Sequence, residues 1–168
     1  MAGITIRVDD AQIRAALAAL AVRLGNMQDI CDAIGSRLLN LARIGFVREQ
    51  APDGTAWKPL APATILDRQR SKHWPGPILR VKGERGGLYS SLNYKPSPTS
   101  VEIGAGWGAS AAYAAIQQFG GPAGRGHSVT IPARPYLPST SILPDAWIAS
   151  CLDVINTKLL GASWLNAA

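Results

Sequence analysis

An amphipathic pattern spans residues 27–50 and dictates how the rest of the chain must fold around it. Ile30, Cys31, Ile34, Leu38, Leu41 and Gly45 recur at helical spacing on one side. Asp29, Arg37, Asn40, Arg43 and Arg48 fall elsewhere on the same helix. A long helix with one apolar face needs other elements to cover that face. The pattern ends at Ala51, Pro52, Asp53 and Gly54, where a proline stop meets an Asp-Gly turn.

The flanking segments supply the cover. Residues 4–8 alternate apolar and polar as a half-buried strand does, and Asp9 and Asp10 cap a first helix carrying Ile13, Leu17, Leu20 and Leu24. A short helix is expected from residue 62 to about 71. Residues 88–94 and 100–104 read as two strands joined through Pro96 and Pro98. Residues 110–119 form an alanine-rich helix closed by Gly120 and Gly121, and 127–131 a further strand. The last helix starts near Pro144 and Asp145 with the stripe Trp147, Ile148, Cys151, Leu152, Ile155 and Leu159. This order predicts an α+β fold, with a mostly antiparallel sheet packed by a long N-terminal helix pair and a C-terminal helix. A length of 168 residues suits one domain, 1–168, with a basic loop or arm at 67–87.

Charge is unevenly placed. The chain carries a formal +6, and Arg68, Arg70, Lys72, Arg80, Lys82 and Arg85 outnumber Asp67 and Glu84 within 67–85. Trp74 stands among these cations as a single aromatic platform, a thin basis for stacking a nucleic-acid strand. The segment is open to three uses: a solvated loop, a docking arm for a partner protein, or direct nucleic-acid contact. Its prolines, glycines and charges predict an arm that orders only on contact, with Trp74, Ile78 and Leu79 as anchors. No apolar run approaches a membrane span, and residues 1–10 lack signal-peptide character.

Catalytic chemistry has little to work with. Cys31 and Cys151 lie far apart in apolar helical patterns, which reads as two buried thiols. His73 and His127 have no ligand partner at metal spacing. Glu49 and Asp53 are the nearest approach to an acid–base pair, yet Asp53 suits a turn bond. Gly104, Gly106 and Ala109 match a relaxed dinucleotide fingerprint, but no acidic residue follows between 122 and 140. Neither an enzyme nor a cofactor site is expected. Nucleotide or nucleic-acid binding, through the 104–109 loop or the 67–85 segment, stands as the alternative function.

Four ordered segments resemble the virion morphogenesis (tail completion) family of tailed bacteriophages, best known from Mu-like phages. The first holds Phe46, Glu49, Pro52, Asp53, Gly54, Trp57, Pro59, Leu60 and Thr64. The second is Ile78 and Leu79 followed by Gly86, Leu88, Ser91 and Leu92, with Arg85 where the family has Thr. The third runs from Tyr113 through Gln117, Gln118, Phe119 and Gly120, with Gln117 where the family often has His. The fourth is Ile131, Pro132, Ala133, Arg134, Pro135, Tyr136 and Leu137.

The resemblance implies a structural protein of the phage neck or tail end, required for tail completion and head–tail joining. Its partners would be other neck and tail proteins and copies of itself in a ring, with passing contact to genomic DNA and none to membrane. It would reside in the virion after assembly in the host cytoplasm. Under this reading Trp57 and Leu60 pin the post-helix loop to the core, and Pro52 and Pro59 stiffen it. Tyr113, Ile116 and Phe119 seat the short helix on the sheet. Arg134, between two prolines on a segment that also carries Tyr136, suits a directed salt bridge within the subunit or across an interface. Fold maintenance and subunit contact both remain open for these residues.

Overall fold

A computed structural model describes residues 27–81, 87–106, 111–138 and 143–160. The expected strand at 4–8, the helix carrying Ile13 to Leu24, and Lys82 lie outside the described residues.

Helix α1, Gln28–Arg48, buries Ile30, Cys31, Gly35, Leu38, Ala42 and Phe46. Ile34 and Leu41 pack at the margin of the same core. Asp29 in its first turn and Arg48 in its last complement the helix dipole. Glu49 then turns left-handed, with φ of 55°, and the amide of Gln50 closes onto the Gly45 carbonyl at 3.0 Å. The turn at 51–55 is held by the Ala51 amide on the Thr55 carbonyl and by the Thr55 amide on Asp53 Oδ1, at 2.8 and 2.9 Å. This local bonding keeps the Asp53 carboxyl below its ordinary range. The turn returns the chain along α1, where the Trp57 amide donates to the Glu49 carbonyl at 2.8 Å.

Helix α2, Pro62–Arg70, starts with Pro in its first turn. Next comes α3, a single turn at Gly87–Ser90. It occupies part of the expected strand 88–94. Leu88 and Leu92 both reach the core while Ser90 between them is exposed, a pattern that a turn of helix satisfies and an alternating strand, which would bury position 90 with them, does not. The Ser90 and Ser91 hydroxyls close onto the Gly87 and Leu88 carbonyls at 3.1 and 2.8 Å. Strand β1 therefore begins at Asn93 and runs to Pro96, antiparallel to β2, Val101–Gly104.

Helix α4, Ala111–Phe119, leads into β3, Gly121–Ala123. A 3₁₀ turn at Arg125–His127 precedes β4, Val129–Ile131, which pairs antiparallel with β3. The α+β class holds, with the strands arranged as two separate two-stranded antiparallel sheets among the described residues. Helix α5, Asp145–Leu160, packs along α1 through Trp147 and Cys151, and Arg37 Nε reaches Ser150 Oγ across the pair. Ile148 and Leu152, expected in the buried stripe, stay at the surface.

Phe46, fully buried, sits at the centre of the core. Its ring meets Trp57, Tyr136 and Tyr89 at centroid distances of 5.2, 5.3 and 5.6 Å. The contact ties α1 to the post-helix loop, to α3 and to the 131–138 segment, three regions far apart in sequence.

The basic segment departs from expectation over its described part. Arg68 and Leu79 are built into the fold, while residues 71–75 between them stay exposed. Arg68, only 7% exposed, donates through Nη1 to the Pro77 carbonyl at 2.9 Å and less closely to Gly76. Glu49 Oε1 accepts from the Ile78 amide at 2.7 Å. Leu79 is buried with φ of 60°, a left-handed conformation that costs a non-glycine residue ~1–2 kcal/mol. Burial of its side chain and the bond of the preceding Ile78 amide to Glu49 offset that strain. Arg80 and Arg43 lie over the Tyr89 ring, at 5.6 and 5.9 Å from its centroid. Composition suggested an arm because the satisfying groups, Glu49 and Tyr89, come from elsewhere in the chain.

Candidate functional site: the cleft under the proline-rich segment

Residues 131–138 carry three prolines, Pro132, Pro135 and Pro138, each lacking an amide donor. Beyond Ile131 the segment joins no sheet among the described residues, so mostly side chains satisfy its backbone. Gln118 Oε1 accepts from the Tyr136 and Leu137 amides at 3.0 and 3.1 Å, and Gln118 Nε2 donates to the Leu137 carbonyl at 2.7 Å. The Arg134 amide donates to the Gln117 carbonyl at 2.8 Å. Trp57 Nε1 donates to the Pro135 carbonyl at 2.7 Å, and the Tyr136 hydroxyl to the Ala114 carbonyl at 3.1 Å. Burial pushes that phenol up to about 12.

The Arg134 guanidinium reaches the opposite wall. Its Nε donates to the Lys58 carbonyl and its Nη2 to the Pro59 carbonyl, both at 2.9 Å. Arg134 is 5% exposed. Burial, then the nearby charge of Arg68, push its pKa below the usual guanidinium range, and Tyr113 opposes the change. The salt bridge anticipated for Arg134 is replaced within the subunit by backbone carbonyls. Among the described residues no carboxylate pairs with it.

Between these walls lies a cavity of about 390 Å³, lined by Lys58, Pro59, Leu60, Thr64, Arg68, Leu79, Tyr113, Gln117, Arg134 and the strand β4. Its lining contains no Asp or Glu. All four of the family-like segments contribute, the first through Pro59, Leu60 and Thr64, the third through Tyr113 and Gln117, and the fourth through Ile131, Pro132 and Arg134. The second segment contributes Leu79. Chain order scatters these residues, and the fold brings them to one concavity.

Other expected site residues fall elsewhere. Pro52, Asp53 and Gly54 form the turn after α1, with Pro52 and Gly54 beside a smaller cavity that also touches Tyr136 and Trp147. Phe119 is 68% exposed and Tyr113 47%, so they do not seat α4. Ala114, Gln117 and Gln118 do, at helical spacing, because the amide-poor segment behind them requires polar partners. Arg70, Lys72 and Trp74 are exposed, whereas Arg68 and Arg80 turn inward, which splits the anticipated basic patch. The unexpected contributors are Gln117, Gln118 and Glu49. Glu49 was already within the first quoted segment, and the 114, 117, 118 spacing was available had glutamine been admitted as a buried residue.

The dinucleotide reading loses its context. Gly104 ends a strand in an antiparallel hairpin, where the fingerprint requires a parallel β-α-β unit. The Gly106 amide donates to Ser91 Oγ at 3.0 Å. Cys31 and Cys151 are both buried and unpaired. Among the described residues there is no group of three metal-ligating side chains, and no helix is long and apolar enough to cross a membrane.

Comparison with curated proteins and with solved structures gives no significant match. The model of the phage virion morphogenesis family matches residues 8–142, a span that takes in α1 to β4, the buried Trp57, Arg134 and Tyr136, and the whole cleft lining. On that match the chain belongs to the phage virion morphogenesis family.

Proposed function

We propose that the protein is a structural component of the phage neck or tail end, needed for tail completion and head–tail joining through protein–protein contacts. The family match across residues 8–142 carries this reading. The arrangement of polar groups agrees with it: Glu49, Gln118, Arg134 and Trp57 spend their hydrogen bonds on backbone atoms that fix the fold. The proposed assembly is a homo-oligomeric ring in the virion, touching other neck and tail proteins, and it is non-enzymatic.

Deletion of the gene, with complementation in trans, tests the role. Electron microscopy of mutant lysates should show filled heads beside separate tails, with joined particles restored by the complementing copy. Infectious joined particles formed without the protein would overturn the proposal. Native mass spectrometry of necks released from virions should give several copies per neck.

A further inference from the structure

We propose that the cleft between Lys58 and β4 is a docking site for an extended acidic segment of a partner protein, whose carboxylate is received by Arg68 and Arg134. The choice of a protein partner rests on the assembly role proposed above. The cleft's charge is uncompensated. Arg68 and Arg134 line the cleft, 7% and 5% exposed, and no carboxylate pairs with either among the described residues. Two neighbouring guanidiniums held out of water, bonded only to neutral carbonyls, leave a local cationic excess that an incoming carboxylate relieves.

A second observation points the same way. Gln117 is 6% exposed, and its Oε1 is buried without a hydrogen-bond partner. An orphaned buried acceptor of this kind costs ~1–3 kcal/mol. What it lacks is a donor, such as a peptide N–H. Arginine for a carboxylate and, once the Gln117 side chain turns toward the cleft, an unsatisfied acceptor for an amide together match the polar groups of an acidic polypeptide. The rim is suited to its apolar parts, since Val129 is 56% exposed and Tyr113 47%. β4, which forms one wall, pairs among the described residues with β3 alone, on one edge, so an extended chain has a strand to lie along. A DNA backbone fits less well, because duplex phosphates meet cations standing out from a surface, and these two are recessed.

NMR titration of the isotope-labelled full chain tests this without any particle. The probes are acetyl-Val-Glu-Val-Asp-Val-amide, its counterpart with Gln and Asn in place of Glu and Asp, and a twelve-base-pair DNA duplex. The acidic peptide should shift the Gln117 side-chain amide and the Arg134 Nε–H signals, and bind about tenfold more tightly than the neutral peptide. Lys58→Glu and Val129→Glu alter exposed lining residues, so each should weaken acidic-peptide binding severalfold with the melting temperature unchanged. Equal response to both peptides, shifts outside the cleft, or no shift at millimolar acidic peptide would each overturn the proposal. So would DNA moving these signals while the acidic peptide does not. An unjoined-particle phenotype with no peptide binding would refute the cleft alone, and peptide binding with normal particles in the deletion would refute the assembly role alone.

Discussion

Replacing Gln118 with methionine separates the hydrogen bonds that hold the 131–138 segment from the volume that fills the site. Methionine matches glutamine in length and flexibility, so the cavity contribution is small. What disappears is a clamp of three bonds, at 2.7, 3.0 and 3.1 Å, to the Leu137 carbonyl and the Tyr136 and Leu137 amides. Each backbone group left without a partner costs ~1–3 kcal/mol, toward the lower figure where water reaches it. The Tyr136 bond is buried and the two Leu137 bonds are partly so, which gives a loss of about 3–5 kcal/mol. That is a large share of the ~5–15 kcal/mol typical of a domain. At this size it corresponds to a fall in melting temperature of about 8–15 °C. Urea unfolding should show a lower midpoint with an unchanged slope. Phe119→Ser is the paired control: its ring is 68% exposed, and the change should stay within ~0.5 kcal/mol. A Gln118→Met protein as stable as wild type, or a Phe119→Ser protein losing more than ~2 kcal/mol, would refute the assignment of the α4 buried face.

Trp57→Ala should cost ~3–5 kcal/mol, since it empties a site against Phe46 and strips the Pro135 carbonyl of its donor; a melting temperature within a degree of wild type would refute it. Gly120→Ala should cost ~2–4 kcal/mol, because φ is +72° and the new Cβ would stand 2.7 Å from the Ala133 amide nitrogen and 2.9 Å from the Ile131 carbonyl oxygen. Thermal melts of that variant matching wild type would disprove the close approach. For Tyr136 the folded pKa lies above the ordinary value of about 10, so the neutral phenol's contribution is complete below pH 10 and is lost as pH rises through about 12. Tyr136→Phe should melt lower at neutral pH by the ~1 kcal/mol of its bond to Ala114, and the gap to wild type should shrink between pH 10 and 12. A constant gap across that window would show that burial does not set the titration.

Helices with long apolar stripes were legible in the sequence, because a 3.6-residue period is a local property. α1 ends at the predicted proline turn, and α5 starts at the predicted Pro144 and Asp145. Short elements were less so. Leu88 and Leu92 fit a strand by composition, but the serines at 90 and 91 bond back to carbonyls three residues earlier and close a helical turn. On α4 hydrophobicity pointed to Phe119, yet the neighbouring strip of chain has few amide donors and no strand partner beyond Ile131. The side that buries is the one bearing amides. The same physics decided the basic segment: carbonyls at 76 and 77 left without partners draw Arg68 inward, and nothing within 67–85 announces that Glu49 bonds the Ile78 amide. These pairings join residues 8 to 29 apart, beyond the reach of a period or a turn rule.

The cleft follows from that economy of donors. A segment with three prolines is stiff and needs external partners, and the partners it takes, Trp57, Gln117, Gln118 and the Lys58 and Pro59 carbonyls, come from both sides of it. The clamp fixes the spacing between the 57–60 loop and α4, and so the width of the cavity. It also requires Arg134 to span that gap with its guanidinium charged and recessed beside Arg68. A hydrophobic residue would hold the two walls together with less desolvation cost, as buried ion-pair replacements generally do. Guanidiniums hold the walls and leave unused N–H groups, since each has five donors and Arg134 commits only two nitrogens to carbonyls. Rigidity of this kind lowers the entropy lost when a partner docks. On the proposed docking role, the residues that stabilise the subunit are also the ones that would shape its contact surface, so that fold maintenance and partner contact would be two effects of one arrangement.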